Sequence, residues 1–327
     1  MPPLVVLQFD MRASPAAPDT AGERYRACLE MVSWADSQPV SVVGFSEHHN
    51  TEDGFLSAPL MMAMAAASVT RRVAVNVSAL LLPLHDPLRV AEDIAVLDLV
   101  SGGRFMTTLG LGYREAEYRA LGADWQGRGR VFDEKLTVLL QALGGEAFDY
   151  RGTRVQLNPA PARPPQALLC VGGNSPAAAR RAARFGLMFA PPIDDAALQA
   201  VYDSECQRLG FDSGMVIFPN EPALTLIVED PDRAWAEYGQ YFLYDALAYR
   251  RWQHASRRAY AESGADSLQA LREEGKYAFL SPEQAAGKIN RKGSINLAPL
   301  CGGMPVAVGW RSLALFAEQV VPLLEQD

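Results

Sequence analysis

The chain has 327 residues, 49% of them hydrophobic and 21% charged, which is enough apolar material to fill one large α/β core. Its 30 Lys and Arg against 38 Asp and Glu give a formal charge of −8 without any long basic run, which argues against nucleic acid or an anionic membrane as partner. The most apolar window, residues 58–69, is too short to span a bilayer, and residues 1–9 lack a signal peptide's basic start and apolar core. Cys28, Cys170, Cys206 and Cys301 are scattered without a CxxC, as expected for reduced thiols in a cytoplasmic protein.

Short β-rich runs alternate with amphipathic stretches, the pattern of βαβ units around a parallel sheet. The first strand is predicted at 4–9, with a helix over 22–34; the second is at 42–46, with a helix over 58–68. Residues 73–82 form a nearly continuous apolar run, which suits a third strand buried on both faces. Asp86-Pro87 starts a helix, because Asp caps free N–H groups and Pro suits the first turn; Gly102 and Gly103 end it. A fourth strand follows at 105–111 and a helix at 131–143. The turn Tyr150-Arg151-Gly152-Thr153 then predicts a hairpin excursion within 144–165.

Strands five, six and seven are predicted at 167–171, 187–190 and 223–228, with helices over 175–185 and 195–209 between them. An aromatic-rich helical insertion follows at about 232–275, carrying Tyr241, Phe242, Tyr244, Tyr249 and Trp252. Ser281-Pro282 starts another helix, 295–298 is the eighth strand, and 310–324 closes the chain. The expectation is a single (β/α)8 TIM barrel domain over 1–327, with a hairpin after the fourth helix and a helical insertion before the eighth strand.

In such a barrel, reactive groups collect on loops at the C-terminal ends of the strands. Four segments qualify. Glu47-His48-His49-Asn50-Thr51-Glu52-Asp53-Gly54 holds two of the four histidines beside three acids, a combination suited to proton transfer near neutral pH or merely to satisfying backbone groups. His85-Asp86-Pro87 reads most simply as a helix cap. Gly110-Leu111-Gly112-Tyr113-Arg114-Glu115 has Glu115 where a dinucleotide fingerprint needs its third glycine, so its glycines are better read as letting a planar ring approach the backbone. Gly172-Gly173-Asn174-Ser175-Pro176 precedes a helix N-terminus, where free N–H groups suit a phosphate; Arg180, Arg181 and Arg184 follow, on what is otherwise a plain capped helix with a solvated basic face. A metal site is not expected: His48 and His49 are adjacent, and on an extended chain they point to opposite sides.

These segments resemble the bacterial luciferase-like family of flavin- and F420-dependent oxidoreductases. The loop from Glu47 to Gly54 is similar to the family's E-H-H loop. Leu82-Pro83-Leu84-His85-Asp86-Pro87-Leu88-Arg89-Val90-Ala91-Glu92-Asp93, then Leu97-Asp98 and Ser101-Gly102-Gly103-Arg104-Phe105, are similar to its most recognisable block. The resemblance implies that His48 is an acid/base beside the isoalloxazine, with His49 and Glu47 in support. It also implies a non-prolyl cis peptide between Ser78 and Ala79, with Gly110, Gly112 and Tyr113 near the ring. Gly172, Gly173, Asn174 and Ser175 would then lie at the cofactor phosphate. Luciferases place a cysteine and an arginine where Gly110 and Leu111 stand, so light emission is not implied.

The activity that follows is a flavin-dependent monooxygenase using reduced FMN and O₂ on a small organic substrate, working as a homodimer with a separate reductase. F420-dependent hydride transfer is the alternative within the family. A flavin-binding protein without turnover and a metal-dependent barrel hydrolase are the readings outside it.

Overall fold

The computed structural model describes residues 3–212, 214–219, 223–252 and 263–324. Among the described residues, nine strands form one parallel sheet: β1 (Leu4–Phe9), β2 (Val42–Phe45), β3 (Ala74–Leu80), β4 (Phe105–Leu109), β5 (Leu169–Gly172), β6 (Met188–Ala190), β7 (Leu224–Ile227), β8 (Tyr277–Leu280) and β9 (Ser294–Leu297). Their spatial order is β8-β7-β9-β1-β2-β3-β4-β5-β6, and every ladder between them is parallel. Helices connect successive strands, and the strands carry the core: Val5, Leu7, Val43, Phe45, Val75, Val77, Phe105 and Val171 are fully buried. Burial of β-branched and aromatic residues in this way is what places a parallel sheet inside covering helices.

Local chemistry sets the boundaries much as the sequence implies. The Asp86 carboxylate accepts from the amides of Leu88 and Arg89 to begin the helix Pro87–Ser101, and Gly102 ends it in the left-handed region at φ 62°. The expected hairpin is a two-stranded antiparallel pair, Phe148–Tyr150 with Thr153–Val155. Arg151 and Gly152 turn it at positive φ, 50° and 75°. The Ser78–Ala79 peptide is cis, as the resemblance implied, and the β3–β4 register shifts between Ser78 and Leu80.

Two expectations change. The strand count was eight, and the sheet contains a ninth, β8, between the helical segment and β9. Its four residues, Tyr-Ala-Phe-Leu, are too few for alternation to register. The segment expected as an insertion over 232–275 contains the helices Pro231–Trp252 and Leu268–Glu274, with residues 253–262 outside the described ones. It therefore leads into β8, which precedes the helix begun at Ser281-Pro282 and the last strand. Among the described residues no helix is long and apolar enough to cross a membrane, and all four cysteines are buried and free.

Candidate active site

β1 to β5 are consecutive neighbours in a parallel sheet, so the segments that follow them leave along one edge, the carboxyl-terminal edge. That edge brings together Arg12 after β1, Glu47 to His49 after β2, Leu81 to His85 after β3, Gly110 to Glu117 after β4 and Gly172 to Ser175 after β5.

His48 lies at the centre. It is 5% exposed, its Nδ1 lies 2.8 Å from Glu117 Oε1, and its Nε2 lies 2.9 Å from the Tyr113 hydroxyl. An ionised carboxylate only accepts, so Nδ1 carries the proton and Nε2 of the neutral ring accepts from Tyr113. Burial pulls the His48 pKa below its usual value, helped by Arg114 and Arg12, against the opposing pull of Glu117. Burial also pushes the Tyr113 phenol well up, so it stays protonated. Glu117 is opposed by burial, but its hydrogen bonds from His48 and the His49 amide, with the Arg114 charge, hold it below the ordinary carboxylate range. Its Oε1 also accepts from the His49 amide at 2.8 Å and from Arg114 Nη1 at 2.9 Å.

His49 turns the other way. Its Nε2 and the Nε2 of His85 each donate to Glu47 Oε1 at 2.6 Å, while the Leu81 amide donates to Glu47 Oε2 at 2.6 Å. Burial resists ionisation of Glu47, yet these donors outweigh it and hold its pKa down at about 2. Glu47 thus ties the end of β2 to the end of β3.

Among the described residues, four aromatic rings stand around His48. Phe55 and Trp252 lie 4.8 Å from it between centroids, Tyr113 at 5.1 Å and Tyr249 at 6.4 Å. The Arg12 guanidinium sits 4.3 Å from the Trp252 ring centre and 4.4 Å from that of Tyr249; Arg114 lies 4.1 Å from Trp252, which is therefore flanked by two cations. Arg12 is fully buried. Its Nη1 donates to Asp245 Oδ1 at 2.7 Å, and its Nε lies 2.9 Å from Asp53 Oδ2 without hydrogen-bond alignment.

Glycines on this edge allow close packing. A Cβ on Gly110 would come within 2.9 Å of the Ala79 Cβ, and one on Gly112 within 3.2 Å of the Leu81 side chain. Gly173 has φ +145°, and a Cβ there would meet Ala178 at 2.7 Å. Ser175 caps the helix Pro176–Arg184 by accepting from the Ala178 amide at 3.3 Å. Arg181 and Arg184 both bind Asp133, so they fasten this helix to the helix Arg128–Leu143. Hydrogen bonds therefore join Glu47 with His49 and His85, and His48 with Tyr113, while packing joins Ala79 with Gly110. Gly172 to Ser175 lie on the same edge, after β5.

Glu117, Arg114, Arg12, Asp245, Tyr249 and Trp252 belong to this site, and none was singled out as a site residue from sequence. Glu117 stands in Arg-Glu-Ala-Glu, which reads as a solvated run; only the short helix Glu115–Ala120 turns it inward. For Tyr249 and Trp252 the signal was the aromatic density of the insertion.

A fold with this edge belongs to the α/β proteins that place their chemistry where parallel strands end. The chain belongs to the luciferase-like monooxygenase family, whose sequence profile matches residues 4–291. Among curated proteins, 4-hydroxyprotoasukamycin monooxygenase of Streptomyces nodosus subsp. asukaensis is 31% identical over 139 residues, 40% of this chain and 38% of that protein. Limonene 1,2-monooxygenase of Rhodococcus erythropolis is 30% identical over 118 residues, 36% and 30% of the two chains. The matched part spans about two-fifths or less of the length of these relatives.

Two solved structures share the fold over nearly the whole length. The monooxygenase RslO1 from Streptomyces bottropensis has a TM-score of 0.74 at 24% identity, covering 98% of this chain and 99% of its own. The oxygenating constituent of 3,6-diketocamphane monooxygenase from Pseudomonas putida, in complex with FMN, has a TM-score of 0.71 at 17% identity, covering 99% of both.

Proposed function

We propose that the protein is a flavin-dependent monooxygenase that takes reduced FMN from a separate reductase and, with O₂, oxygenates a small organic substrate. The observation that carries this reading is the buried neutral His48, held between Glu117 and Tyr113 on the same edge as the close-packed Ala79–Gly110 backbone. Family membership and the FMN complex of a structural neighbour support it.

The residues present fit a flavin. Gly110 and Gly112 let the loop after β4 pack directly against Ala79 and Leu81, which sets the Ser78–Ala79 backbone and Tyr113 as the side against which a planar ring would lie. Asn76 Oδ1 is buried without a partner among the described residues, and Asn76 shares a face of β3 with Ser78, so an acceptor remains there for a ligand N–H. Pro176 has no N–H and Ser175 caps Ala178, which leaves the Ser175 and Ala177 amides at a helix N-terminus for a phosphate; Gly172, Gly173 and Asn174 form the approach to it. When bound, reduced FMN supplies the electrons that activate O₂.

The chain's own part is proton transfer and exclusion of water. His48 Nε2 takes a proton through the Tyr113 hydroxyl, and Glu117 holds Nδ1–H so that Nε2 keeps its orientation. Phe55, Tyr249 and Trp252 keep bulk water from that pair. Glu47, through Leu81 and His85, keeps the β2 and β3 loops in register.

Closure of the sheet into a (β/α)8 barrel as one domain over 1–327 is part of the proposal; the parallel bridge from Phe189 to Val216 extends the β6 edge and supports it. So is a cytoplasmic homodimer. The helices Pro59–Val69 and Pro87–Ser101 pack together and expose Met61, at 75%, with Val96, Leu99 and Val100, an apolar face that a second copy would cover. Gly110-Leu111, in place of a cysteine and an arginine, is compatible with F420 hydride transfer, the second reading, as well as with a flavin whose phosphate is anchored differently. Oxygen uptake with a flavin reductase and a substrate panel tests the first. Uptake coupled to product formation, falling about 10²–10⁴-fold in His48→Ala, is expected; hydride transfer from reduced F420 without oxygen uptake would replace this reading with the second.

A further inference from the structure

His48 and His49 diverge, as adjacent residues on an extended chain should, but His49 meets a different histidine. We propose that Glu47 Oε1, His49 Nε2 and His85 Nε2 form a binding site for one divalent transition-metal ion of the zinc, cobalt or nickel type. The three ligand atoms lie within 4.8 Å of one another, and the carboxylate oxygen is 2.6 Å from each imidazole nitrogen. An ion bonded to all three at about 2.0–2.2 Å would hold them about 3.0–3.4 Å apart. Each imidazole therefore withdraws from Glu47 by less than about 1 Å to admit it, a change that small ring rotations provide.

The rest of each ligand residue is already fixed. Glu47 Oε2 is held by the Leu81 amide. The His49 amide donates to Glu117 at 2.8 Å, and its carbonyl accepts from Arg114 at 2.7 Å. The His85 carbonyl accepts from Lys135 Nζ at 2.6 Å. The two rings reorganise, and each passes its Nε2 proton to its own Nδ1 or to solvent so that the lone pair faces the ion; supporting hydrogen bonds of this kind are what orient metal ligands. The Glu47 side chain is fully buried, whereas those of His49 and His85 are 14% and 27% exposed. An ion reaches the site from the His85 side and keeps open positions for water there. Two imidazoles and one carboxylate select zinc, cobalt or nickel over magnesium and calcium, which prefer all-oxygen sets.

The site uses neither nitrogen of His48, so it stands independently of the monooxygenase reading. The test is a Co²⁺ titration of the chelator-stripped full-length chain, followed by calorimetry and visible d–d absorption, then by Zn²⁺ displacement. Saturation at one Co²⁺ per chain is expected, with affinity weakened roughly 100-fold or more in both His85→Ala and Glu47→Gln. Absence of saturable Co²⁺ binding, or wild-type affinity in His85→Ala, overturns the proposal. His85 is partly exposed, so that variant decides the matter even where Glu47→Gln fails to fold.

Discussion

Replacing Glu117 by glutamine keeps the side chain's volume but turns an acceptor-only group into one that can offer a proton to His48 Nδ1, so the imidazole tautomer is no longer fixed. The expected result is a fall in kcat of about 10²–10⁴ with little change in KM. The pH profile separates this from a structural effect. His48 acts as a neutral base with a lowered pKa, so activity is full above that pKa and lost as pH falls through it. Glu117 raises the pKa, and its removal should move the acid limb of kcat to lower pH; a limb that stays in place or moves up contradicts the assignment. At this scale the sequence was half legible. Glu-His-His is distinctive as a string, whereas burial of Glu117 and the pairing of His49 with His85 depend on how three separate loops meet.

The helix Pro231–Trp252 is fastened to the β1 loop by the Arg12–Asp245 ion pair, whose side chains are both fully buried. Asp245 also accepts from the Tyr277 hydroxyl of β8 at 2.7 Å. Asp245→Ala leaves the Arg12 charge buried without its main partner and should cost about 3–5 kcal/mol in urea unfolding. The double variant Arg12→Met/Asp245→Leu should lose less than Asp245→Ala alone, and an additive loss would argue against the coupling. Asp10 provides a second test nearby. Burial, then repulsion from Asp245, pushes its carboxyl up to about 7. A carboxyl with a raised folded pKa contributes stability below its unfolded value near 4, and that contribution is lost as pH rises through about 7. Asp10→Asn keeps an acceptor for the Arg12 amide, so its stability relative to wild type should grow by on the order of 2–3 kcal/mol between pH 5 and pH 8, measured by thermal unfolding at both. The aromatic density of this helix marked it in the sequence. β8 was hidden because four residues before a Ser-Pro cap give neither periodicity nor turn signals of their own.

Across the whole molecule the parallel sheet was readable, because alternating apolar runs and capped helices each carry a local signal: Asp86, Gly102 and the Arg151-Gly152 turn fall where their chemistry requires. Pairing order and covered surfaces depend on contacts distant in sequence and left no such trace. If the face carrying Met61 and Val100 is covered by a second copy, Val100→Asp should convert a dimer into a monomer by light scattering, whereas a monomeric wild-type chain would refute the interface. The central claim, that this edge binds a reduced flavin and directs it to oxygen chemistry, is tested most directly by anaerobic titration with reduced FMN and with reduced F420, followed by admission of air. The account predicts saturable binding of reduced FMN and oxygen consumption that depends on bound flavin. Binding of F420 alone, with no oxygen consumed, would contradict it.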